Sequence, residues 1–185
     1  MGWHWGILAS SGGAAGAFDL LETTVLSSTA SSITFSSLGS YSAYKHLQIR
    51  ATVRADGTTL TGMRLRFNGD SGNNYAHHRL QGDGSSVSSN SSGANADNIF
   101  LGFRLPGNST ANSFSALLVD ILDFGSTNKN TTARIFAGYR DGVNGQNIYL
   151  NSGMWNNTAA VTSITITQGV DNFVSGSRFS LYGVK

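Results

Sequence analysis

The sequence predicts an all-β fold: a jelly-roll-like antiparallel β-sandwich of about ten to eleven strands behind an N-terminal arm. Three observations carry this. Apolar and polar residues alternate with period two in segment after segment, the mark of a half-buried strand. Turn residues such as DG, NGDSG, GDGSS, PGNS and DGVNG separate those segments at short intervals. No twelve-residue stretch keeps a helical period with helix-forming residues.

Composition agrees. A chain of 185 residues suits one domain with a sizeable core. It has no cysteine, so neither disulfides nor thiol chemistry contribute. Charged residues are 12% of the chain, about half the usual ~25%. Ten Phe and six Tyr set it apart from disordered sequences. The net charge of +2 reflects few charges of either sign and does not call for nucleic acid. No apolar run reaches the ~18 residues of a membrane-spanning helix, so membrane insertion is not expected.

Residues 1–17 read as an arm. Trp3, His4 and Trp5 are followed by Ile7 and Leu8 and then by the flexible stretch SSGGAAGA. Tryptophan is enriched at interface hot spots, so the arm is expected to anchor the chain to a neighbouring subunit or partner. Residues 18–185 form the sandwich. Strands are expected at 19–26, 31–36, 45–54, 61–68, 75–81, 98–105, 114–122, 131–139, 146–151, 161–167 and 177–184. Residues 38–44 leave room for a short helix. The stretch 82–97, GDGSSVSSNSSGANAD, has no periodicity and reads as a long exposed loop. Segment 114–122 is apolar on both faces except at Asp120, which suits a central strand.

Two strands have clean faces. Leu47, Ile49, Ala51 and Val53 alternate with polar residues that include Arg50 and Arg54. Met63, Leu65 and Phe67 alternate with Arg64 and Arg66. Joined through ADGTTL, they predict a hairpin with one basic face. Its arginines would take an anionic glycan or an acidic partner, or else form a solvated face with their stems over apolar surface.

Other constellations point away from chemistry. His77 and His78 are adjacent, so on a strand they face opposite ways and do not share a metal. Asn68, Asp70 and Asn73 resemble part of a calcium loop, yet the closing glutamate is missing and the same residues suit a turn. Asp120 and Asp123, three apart on a strand, do not face one cleft as a glycosidase pair must. Neither a nucleophile elbow nor a phosphate loop is present. No cofactor and no enzymatic activity are expected. Tyr139, Tyr149 and Trp155 form the one plausible set of glycan-contacting aromatics; core packing is their other role.

Several blocks resemble a group of β-sandwich virion proteins of tailed bacteriophages of cyanobacteria and marine bacteria. They are FDLLETTVLSSTASSITFSSL, YKHLQIRATVR, LRFNGDSGNNYAHHRLQGDGSS, ALLVDILDFGSTNKNTTAR, MWNNTAAVTSITI and FVSGSRFSLYGVK, together most of residues 18–185. The resemblance implies a virion structural protein assembled in the bacterial host cytoplasm. A tail fibre or baseplate appendage is expected first, anchored by its arm to other virion proteins, homotrimeric, with loops that contact host surface glycans. A capsid decoration protein and a carbohydrate-binding module are the alternatives. The resemblance carries no defined site residues.

Overall fold

The computed structural model describes residues 16–103 and 106–185; the arm residues Trp3, His4, Trp5, Ile7 and Leu8 lie outside them. Twelve strands follow one another: β1 (Phe18–Val25), β2 (Ser32–Phe35), β3 (His46–Val53), β4 (Gly62–Phe67), β5 (Tyr75–Gly82), β6 (Val87–Ser91), β7 (Ile99–Phe103), β8 (Ser115–Leu122), β9 (Thr131–Asp141), β10 (Gly145–Trp155), β11 (Ile164–Thr167) and β12 (Arg178–Val184). They form two antiparallel sheets that pack as a sandwich. The large sheet has the order β1-β12-β3-β8-β9-β10-β5-β6 and the small one β2-β11-β4-β7.

Chain connectivity explains this partition. Strands β1, β3, β8 and β12 belong to the large sheet, and β2, β4, β7 and β11 to the small one. Most connections therefore cross from one sheet to the other, as in a jelly roll. The two hairpins β5–β6 and β9–β10 extend the large sheet beyond that frame.

All eleven expected strands are present, and the short-helix region holds a single 3-10 turn, Leu38–Tyr41. Two expectations fail. The first is the 46–54/61–67 hairpin. β3 pairs with β12 and β8 in the large sheet, whereas β4 pairs with β11 and β7 in the small one. The linker ADGTTL thus crosses between sheets. Alternation shows which residues face inward; it does not show which sheet receives them. The second is the unstructured loop at 82–97, which contains β6. Every β6 residue is exposed. An edge strand joined to β5 through its backbone needs no apolar face, so VSSNS carries no period to read.

The inward phases of both sheets make one core. Leu47, Ile49 and Val53 of β3 lie fully buried, as do Met63, Leu65 and Phe67 of β4 and Ile164 and Ile166 of β11. β11 shows the logic at its smallest. Of its four residues, two isoleucines point inward, and Thr165 on the outside exchanges a 3.0 Å hydroxyl hydrogen bond with Thr34 of β2. Burying each isoleucine stabilises the fold by about 1.5–3 kcal/mol.

Ile166→Ala is accordingly expected to destabilise the protein by about 2–5 kcal/mol. The neighbouring Thr165→Ala should cost less than about 1 kcal/mol, since its hydroxyl bond is exposed. Urea unfolding of both variants measures the contrast, and equal losses would contradict the assigned faces.

Candidate binding surface on the large sheet

The predicted arginine patch does not assemble, because β3 and β4 lie in different sheets. Arg50 stands on the outer face of the large sheet. Its Nε donates to Gln48 Oε1 at 2.7 Å, and its guanidinium lies over the rings of Phe18 and Tyr182, 5.0 and 4.5 Å from their centroids. Arg54 clamps the loop after β7, donating to the carbonyls of Gly107 (2.7 Å), Ser109 (2.9 Å) and Thr110 (3.1 Å). Arg64 and Arg66 point out from the small sheet, where Arg66 is tied to the carbonyl and carboxylate of Asp97. Of these four arginines only Arg50 is thus left on the large sheet's outer face.

The aromatic set is interior. Tyr139 is 6% exposed and Tyr149 and Trp155 are 1% exposed, so they pack the core rather than meet a glycan. Their phase explains it: Tyr139 follows Ala133, Ile135 and Ala137 at period two, all buried. Burial, and then the neighbouring Tyr139, push the Tyr149 phenol above its ordinary range. The Trp155 indole N–H donates to Asp70 Oδ2 at 2.8 Å and its ring packs on Phe67 and Tyr75. Burial raises the Tyr75 phenol to about 12, and its hydroxyl donates to the Asp70 carbonyl at 3.0 Å.

Asp70 therefore belongs to a built turn. Its carboxylate accepts from Asn74 Nδ2, the Gly72 N–H and Trp155 Nε1, each at 2.8 Å. Asn68, at φ +53°, accepts from the Thr162 and Ser163 N–H groups. Donors thus occupy the Asp70 carboxylate and Asn68 Oδ1. His77 and His78 face opposite ways, as the strand period requires. His77 is half-buried, with Nδ1 3.2 Å from the Asn98 carbonyl and its pKa lowered chiefly by burial, while His78 is exposed. Asp120 accepts from Gln48 Nε2 at 2.7 Å and pairs with Arg134, while Asp123 pairs with Lys129 and His46. Among the described residues no group of three or more His, Cys, Asp or Glu side chains is placed to hold a metal. Among the same described residues no helix is long and apolar enough to cross a membrane.

The surface that stands out is one that sequence reasoning missed. Antiparallel register sets side chains in rows across the outer face of the large sheet. One row runs Arg50, Leu118, Phe136, Leu150, Leu80, Ser89, and the next runs Thr52, Ala116, Gly138, Ile148, Gly82, Val87. Its large members remain open to solvent: Phe136 51%, Ile148 51%, Leu150 58%, Leu80 50% and Val87 73%. The apolar area is on the order of 500 Å², at the upper end for a monomer's largest patch. Where Ala116 and Gly138 interrupt the bulky residues, the face sinks into a trough of about 850 Å³. Leu118, Phe136 and Ile148 line it, and Arg50, Arg140 and Arg178 belong to its walls. The next row, Gln48, Asp120, Arg134, Ser152, His78, is polar and bounds the apolar band on one side. The signal was legible: ALLVDIL, ARIFAG and IYLN carry apolar residues on both phases.

The chain matches no family model, no curated protein and no solved structure. An apolar trough with arginines in its walls is chemically suited to flat or aliphatic side chains, by area burial and by cation–π contact.

The Asp70 turn gives a pH prediction. Its Asn74, Gly72 and Trp155 donors hold the carboxyl below its ordinary 3.8. The unfolded chain takes up this proton first, so the stability Asp70 contributes is present above pH 3.8 and is lost as the pH falls below it. Asp70→Asn should cost about 1–3 kcal/mol at neutral pH, because a donor then faces donors. It should also reduce the loss of stability on acidification. Urea unfolding at neutral and acidic pH checks both; an unchanged acid dependence would contradict the role given to Asp70.

Proposed function

We propose that this chain is a non-enzymatic structural subunit of a bacteriophage particle, most simply a tail fibre or baseplate appendage. It works by binding through its surfaces to other virion proteins. The observation that carries the binding role is the apolar, arginine-walled face of the eight-stranded sheet, which lies at the upper end of what a free monomer exposes. The phage setting rests on the resemblance of six sequence blocks to phage virion sandwich proteins. The low charge density also favours this reading, since it limits long-range repulsion between closely packed subunits. In this setting the N-terminal segment with Trp3 and Trp5 attaches the subunit to the particle, and the sandwich projects from it.

Glycan recognition loses the support of Tyr139, Tyr149 and Trp155, which are core residues. A host-surface contact, if made, falls to the loops that join the strands. Capsid decoration uses the same binding chemistry at a different address and differs in copy number.

Labelling the protein within purified particles tests the reading. Tens of copies or fewer, located on the tail, are expected. Hundreds of copies over the shell would replace the tail assignment with capsid decoration, and absence from particles would overturn the virion role. Deleting residues 1–12 should abolish incorporation while leaving the sandwich folded; incorporation at normal occupancy would refute the anchor.

A further inference from the structure

We infer that the trough on the large sheet is the docking site of this chain's own N-terminal segment, Trp3–Leu8, in the free subunit. The inference goes beyond the virion reading and does not depend on it. Three observations lead there.

The first is where the described chain begins. Strand β1 starts at Phe18, whose ring lies 5.0 Å from the Arg50 guanidinium. Arg50 and Tyr182 both line the trough. The segment outside the described part thus enters at the β1 edge of the large sheet, where the Phe18 ring reaches Arg50 on the trough's near wall. The second is reach. The ten residues from Leu8 to Phe18 span about 33–36 Å when extended. From β1, where the segment enters, to β10 is five strand spacings, about 24 Å. The intervening SSGGAAGA bends without steric cost.

The third is complementarity. Trp3, Trp5 and Ile7 recur at period two, so an extended segment shows all three on one face. The trough offers Leu118, Phe136 and Ile148 for burial and the Arg140 and Arg178 side chains for cation–π contact with the indoles. Residues 1–17 carry no Asp, Glu, Lys or Arg, so His4 is the only side chain in the segment that can bring charge to those walls. A second copy laid face to face fits less well. Two troughs leave a void between them, and both bring arginines to the contact. The tether also gives the segment a millimolar effective concentration at its own sheet. The anchor assigned under the virion reading would thus be stored on its own subunit until assembly offers a better site.

Limited chymotrypsin digestion of the purified full-length protein tests this, since cleavage is expected after Trp3, Trp5 and Leu8. Phe136→Arg and Ile148→Lys place charge in the trough at half-exposed positions, and each variant's melting temperature shows whether it has folded. Both should speed cleavage in the segment by about tenfold or more, and the wild-type rate should not change over a roughly hundredfold dilution. Equal rates in wild type and both variants would overturn the proposal. Protection that vanishes on dilution would overturn it too, by assigning the trough to another copy's segment. A second readout needs neither variant. In amide NMR spectra, deletion of residues 1–15 should shift the signals of β8, β9 and β10 and spare those of β2 and β11; no shift in β8–β10 would also overturn the proposal.

Discussion

The sandwich depends on how its last two strands are inserted. β12 lies between β1 and β3, and β11 lies between β2 and β4. Without them the N-terminal strands have no neighbours of their own in sequence, because each connection among β1, β2, β3 and β4 crosses to the other sheet. Residues 164–184 thus close both layers. Ile164, Ile166, Phe179 and Leu181, all fully buried, bring the closing side chains. Such pairings are long-range in sequence, so their loop-closure entropy must be met before the core rewards it. The fold is expected to form late and cooperatively around its C-terminus.

That closure positions the proposed working surface. Once β12 and β3 are paired, β8, β9 and β10 extend the same sheet, and the β5–β6 hairpin finishes it. The result is a broad layer with a core side and a solvent side. The small sheet's outer face carries the Thr34–Thr165 pair and the Arg66–Asp97 contact, groups suited to water. The large sheet's outer face is different: its rows from Leu118 to Leu80 and from Ala116 to Val87 expose hydrocarbon. Leaving that hydrocarbon in water costs about 25 cal/mol per Å² relative to burial. A surface that keeps it gains from a partner.

Much of the fold was legible in the sequence and much of the site was not, for separable reasons. Alternation located most of the eleven strands because they sort apolar from polar residues onto two faces, and the unbroken apolar run of 114–122 marked β8. It missed β6, where VSSNS has nothing to sort. It assigned Arg50 and Arg64 to neighbouring strands because sequence proximity was taken for spatial pairing; a sandwich whose connections cross its layers breaks that link. The aromatics could have been placed from phase alone, since Tyr139 is in step with Ile135 and Ala137. The apolar outer face was hinted at by Leu117–Leu118 and Ile135–Phe136, adjacent apolar pairs that must face opposite ways. One member of each pair had to be core, and the other had to be surface.

The central claim is that this outer face is a binding surface occupied even in the free subunit. Hydroxyl-radical footprinting of the full-length protein in solution tests it most directly. Val170 and Val143, 83% and 63% exposed, supply the reference for open aliphatic groups. If the face is covered, Phe136 and Ile148 will be modified far less than their exposure of 51% each dictates. Modification of both in proportion to that exposure, relative to Val170 and Val143 and their intrinsic reactivities, would contradict the account.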